Sequence, residues 1–183
     1  MKYRFDLRKH EKGVMILAVL LFLLSLSLSP PVRWPPYSLL EYVIYCSIAP
    51  VLLVIALHEG LHAVVARLQG ARVEFGITKL GKSWVAMAPY TAVRTPLPVK
   101  MWIPVLLAPF SLSPLFYILG SATGSPIWVM AFLINTSGLA GDIVVLLVLI
   151  RMPKDALVVD EGIEMVSEIP FPEPWPELLR LGK

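Results

Sequence analysis

SLLEYVIYCSIAPVLLVIALHEGLHAVVARL, residues 38–68, is the stretch on which the reading of this chain turns. It exceeds the roughly 20 apolar residues that carry a helix across a bilayer. Its charged residues are Glu41, Glu59 and Arg67, and its histidines are His58 and His62. Pro50 removes one backbone donor in its middle, which predicts a kink there.

Working outward, three further apolar stretches read as membrane helices, at about 14–29, 101–119 and 126–150. Composition agrees. The chain has 183 residues, 57% hydrophobic and 16% charged, against about 45–50% and 25% in soluble domains. Mean hydropathy is +0.74. One soluble core of this size cannot hide so much apolar sequence, so a soluble enzyme and a disordered chain are both excluded. The single cysteine, Cys46, rules out an intrachain disulfide framework. A net charge of +3 argues for no nucleic-acid partner. The first segment has a basic start but no small-residue cleavage site, and its apolar run ends in Ser29, Pro30 and Pro31, so it reads as a retained anchor.

The basic residues set the orientation. Of 16 lysines and arginines, fifteen flank the helices on one side, and Arg33 alone falls on the other. That side is expected to be cytosolic, with both termini inside a cell membrane crossed four times. The fold class expected is therefore an all-α polytopic membrane protein with four transmembrane helices and one small β-hairpin. The hairpin is expected at about 72–92, with strands at 72–78 and 83–88 and a turn at 79–82. Residues 1–151 are expected to form the membrane-embedded domain. Residues 152–183 are expected to form a cytosolic, acidic, proline-rich tail, with short strands possible within 156–169.

His58-Glu59-Gly60-Leu61-His62 is an H-E-x-x-H motif. Residues four apart on a helix lie about 40° from eclipsed, so both imidazoles face one way and suit one metal ion. Glu59 is placed to act as general base without being a ligand. A chance match is the bland alternative. Against it, two of the chain's three histidines lie in the motif, and the motif lies in a membrane helix, where ionisable side chains are costly.

A catalytic zinc takes three protein ligands. His10 lies in the basic N-terminal segment, and Glu41 lies too near the outer end of its helix. Asp142 remains, with Asp160, Glu161 and Glu164 in the tail as fallback ligands. Depth agrees. Counted back from Arg67 at about 1.5 Å per residue, His58 and His62 average about 10 Å from the inner boundary. Asp142 stands about 13 Å before Arg151 on the same scale, within one helical turn of the histidines. The alternative is that Asp142 only caps or kinks the last helix near Gly138 and Gly141. Asn135, Gly138 and Asp142 share a helix face, so Asn135 is read either as a substrate or oxyanion contact or as an interhelical hydrogen bond.

An H-E-x-x-H helix in the membrane with an aspartate on a later helix resembles the site-2 protease class of intramembrane metalloproteases. The likeness covers the motif helix, the last helix and the hairpin. It departs where that class has asparagine–proline and Asp-Gly: no proline lies between Asn135 and Asp142, and Ile143 follows the aspartate. The plan is closer to a family of small prokaryotic membrane proteins named as zincin peptidases. Those carry H-E-x-x-H early, a proline-rich segment midway, as in Thr95 to Pro98, and a late Gly-Asp, as in Gly141-Asp142. The resemblance implies Zn²⁺ on His58, His62 and Asp142, and hydrolysis of a peptide or membrane-protein substrate through a metal-activated water, with Glu59 moving the proton. The exposed hairpin edge could hold the substrate as an added strand, or the hairpin is a structural plug that seals the helices. The rival readings are a non-catalytic membrane adaptor with a structural metal and a metal transporter. Neither needs a glutamate at the general-base position.

Overall fold

The computed structural model describes residues 2–79, 87–162 and 164–175. Four helical stretches are long and apolar enough to cross a membrane: Leu7–Leu28, Leu39–Leu68, Val99–Thr123 and Pro126–Leu149. In chain order the elements are β1 (Tyr3–Asp6), α1 (Glu11–Leu28), α2 (Leu39–Val43), α3 (Ala49–Leu68), β2 (Val73–Lys79) and β3 (Met87–Val93), then β4 (Leu97–Pro98), α4 (Val99–Leu107), α5 (Leu112–Thr123), α6 (Pro126–Gly138), α7 (Ala140–Leu149), β5 (Leu157–Asp160) and β6 (Glu164–Ser167). The all-α expectation is corrected. Besides the expected hairpin there is a four-stranded antiparallel sheet of order β1-β6-β5-β4. The chain divides into two compact units.

The helical unit holds Lys12–His62 and Leu107–Ala140. Ser25 is the one buried residue of α1, and Leu20, Leu23 and Leu24 are all more than half exposed, at 58%, 54% and 55%. Such exposed leucines suit lipid rather than water. Ser25, Ser27 and Ser29 donate to the carbonyls three residues back at 2.8, 2.7 and 2.9 Å, so their hydroxyls are satisfied within the helix. A capping box opens α2: Ser38 Oγ accepts from the Glu41 amide, and Glu41 accepts from the Ser38 amide. Pro50 does disturb the second span, but through an inserted turn. Ile44–Ile48 is π-helical, and the Ala49 amide donates to the Ile44 carbonyl. A proline ring clashes with the carbonyl four residues back, and one wide turn relieves the clash.

The third span is also less uniform than its composition suggests. A 3₁₀ turn at Ala108–Ser111 separates α4 from α5. α5 then continues to Thr123 and ends at Gly124, whose φ is +65°, a conformation glycine adopts without steric cost. α5 and α6 pack through Leu112, Phe116, Ala131, Phe132 and Leu133, with Val54 of α3 in the same cluster.

The second unit holds Met1–Glu11, Ala63–Leu106 and Gly141–Lys183. Its sheet joins β1 to β6 in the register Tyr3↔Ser167 to Asp6↔Glu164. β4 pairs with β5 through Leu97↔Val158. Part of the segment expected as a tail is thus built into a sheet with the N-terminus. Trp102 is buried and donates from Nε1 to the Val158 carbonyl at 3.1 Å, which satisfies its one polar atom. Arg4 pairs with Glu161 and Glu164, and Arg8 pairs with Asp6 and Glu164, at 2.7–3.0 Å. The Arg8 guanidinium holds the Asp6 carboxyl below its ordinary range.

The hairpin pairs β2 with β3 from Val73↔Val93 to Lys79↔Met87. Its second strand lies at 87–93, whereas 83–88 was expected. Residues 80–86, which include most of the expected turn and the start of that strand, lie outside the described residues. Pro89 lies within this strand, opposite Ile77. In a two-stranded sheet each strand has an open edge, where a missing N–H costs nothing. Tyr90 explains two glycines. A Cβ built on Gly76 or on Gly162 would stand 2.5 Å from its ring, and Gly162 has φ +109°. Gly162→Ala is expected to cost about 2 kcal/mol or more, from left-handed backbone and a displaced ring. Nothing lies within 4 Å of a Cβ on the helical Gly138, so Gly138→Ala is expected to be neutral or stabilising. Thermal unfolding of both variants in detergent checks the pair.

Candidate metal centre

α3 carries His58, Glu59 and His62 within one turn and a fraction. The leucines, valines and alanines around them keep the helix regular, so the i, i+4 spacing translates directly into proximity. The two imidazole rings have centroids 5.0 Å apart at 75°. His62 is buried, while His58 and Glu59 are half-buried. Asp142 stands in the first turn of α7.

His58, His62 and Asp142 each offer one atom that a metal ion could take. They are the group among the described residues that could hold a metal ion. Two imidazole nitrogens and a carboxylate oxygen are a donor set that zinc accepts, with a fourth position to spare. The tail carboxylates have other engagements. Asp160 Oδ1 accepts from the Gly162 amide at 2.7 Å, and Glu161 and Glu164 pair with the arginines described above.

Asn135 is wholly buried. Its Nδ2 donates to the Pro109 carbonyl at 3.2 Å and to Ser113 Oγ at 2.9 Å. Its Oδ1 lies 3.1 Å from His58 Nδ1. Of the two roles expected for Asn135, the interhelical hydrogen bond is the one these contacts display. Ser113 and Pro109 escaped the sequence reading. A lone serine in an apolar helix is a faint signal, and a carbonyl acceptor leaves none in the sequence.

A protein family described as "Putative zincin peptidase" matches residues 51–157, more than half of the chain. The chain belongs to that family. The matched stretch contains His58, Glu59, His62, Asn135 and Asp142. An uncharacterized 24.7 kDa protein in the gap 5′ region of Pyrococcus woesei is 40% identical over 176 residues, which cover 95% of this chain and 77% of that protein. No solved structure matches. Family membership and the donor set point the same way, towards metallopeptidase chemistry with zinc.

Proposed function

We propose that this chain is a zinc-dependent, membrane-embedded metallopeptidase with four crossings and both termini cytosolic. The grouping of His58, His62 and Asp142 carries the reading, and membership of a family described as peptidases supports it. In this reading those three residues hold Zn²⁺. Bound zinc supplies a Lewis acid that acidifies water and polarises the scissile carbonyl.

The remaining work falls to the chain's own groups. Glu59 neighbours His58 on the next helical position, takes the proton of the attacking water and returns it to the leaving amine. In this reading the site lies towards the cytosolic side, where water has a short way in. The substrate is a peptide or membrane-protein segment in extended form, since a helical peptide hides its carbonyls. The β2–β3 hairpin offers an open edge to which such a segment could add as a strand. Site-2 protease-like intramembrane proteolysis is the finer form of this proposal.

The test is metal content by mass spectrometry on detergent-purified protein, with cleavage of a fluorogenic peptide pool before and after chelation. About one zinc per chain with chelator-sensitive cleavage is expected. A well-folded protein that takes up no supplied zinc would sink the proposal.

A further inference from the structure

Asn135 occupies a position the proposed chemistry has not yet used. The Pro109 carbonyl can only accept, so the amide nitrogen of Asn135 must be the atom facing it. That orientation turns Oδ1 towards His58 Nδ1. An acceptor there requires the ring proton on Nδ1 and leaves the lone pair on Nε2. Ser113 Oγ, which also receives Nδ2, bonds in turn to Thr136 Oγ1 at 2.9 Å. The amide is thus gripped from two sides by α6's neighbours, and burial strengthens each bond.

We infer that Asn135 is a positioning residue for His58: its buried amide fixes the imidazole in the Nδ1–H tautomer and presents Nε2 as the metal-binding atom. The inference rests on the metal reading above and reassigns Asn135 away from the substrate. Residues behind ligating histidines commonly act this way, and losing them weakens metal binding by roughly 10–100-fold.

The test uses the full chain in detergent, with zinc affinity read by competition against a chromophoric chelator. Asn135→Leu keeps the volume and is expected to weaken zinc by roughly 10–100-fold. Asn135→Asp still accepts from Nδ1 but sets an oxygen against the Pro109 carbonyl, so it is expected to bind zinc more tightly than Asn135→Leu while unfolding at a lower temperature than the wild type. Thr136→Val breaks an interhelical bond of the same network without touching His58. It is expected to lower the unfolding temperature and leave zinc affinity unchanged. Nitrogen NMR of the metal-free wild type is expected to show His58 protonated on Nδ1, a readout that holds even where Asn135→Leu does not fold. Wild-type zinc affinity in a folded Asn135→Leu protein overturns the inference. So does an Nε2–H tautomer in the wild type, or a Thr136→Val loss as large as that of Asn135→Leu. A wild type that binds no zinc overturns the metal reading and this inference together, which separates the two failures.

Discussion

Glu59→Gln is expected to keep its zinc at the wild-type ratio and to lose cleavage by about 10²–10⁴-fold in kcat, the usual contribution of a positioned general base. Glutamine has nearly the shape of glutamate and the same place on α3, so the two imidazoles keep their setting. What it lacks is an oxygen that takes up a proton. The substituted residue is one position from His58 and about 100° round the helix, close to the site without belonging to the ligand set. KM is expected to change little, because the proton moves in the chemical step. Zinc by mass spectrometry and initial cleavage rates on the same preparation check both halves. Full cleavage by the glutamine variant would remove Glu59 from the mechanism, and loss of zinc would make it a ligand.

Asp142→Ala and His58→Ala are expected to behave in the opposite sense, losing the metal first. Structural zinc sites gain about 10–16 kcal/mol from four ligands. One ligand is therefore worth roughly 2.5–4 kcal/mol, or roughly 10²–10³-fold in affinity. Both variants should also lose the stability that zinc confers. A ligand that binds the folded state at 100 times its Kd stabilises by about 2.7 kcal/mol. Added zinc should then raise the unfolding temperature of the wild type and of Glu59→Gln and leave the two ligand variants where they were. An Asp142→Ala protein that binds zinc as the wild type does would take Asp142 out of the site. The proposed centre would be left with two histidines and water.

Much of the candidate site was legible because it is local. His58 and His62 are four residues apart on a helix, and helical periodicity alone brings them to one face. The spans were legible for a similar reason, since hydropathy sums over neighbours and needs no knowledge of the fold. Asp142 was reached by counting residues back from the ends of the apolar spans, and it falls in the group with His58 and His62 that could hold a metal ion. The second hairpin strand runs on to Val93 among the described residues, five past its expected end at Ala88. Pro89 and two alanines lower its local strand signal, and only pairing with β2 selects 87–93.

The sequence by itself determined the four apolar spans, the H-E-x-x-H turn and an aspartate, Asp142, in the last of those spans. Each is a property of residues within a few turns of one another or of hydrophobic length. Tertiary structure alone decided the rest. It paired Tyr3–Asp6 with Glu164–Ser167 across almost the whole chain. It also set Asn135 against His58 from a helix 77 residues away in sequence. Strand pairing and buried amide contacts depend on which distant backbone atoms meet, and no periodicity within a segment encodes that partner.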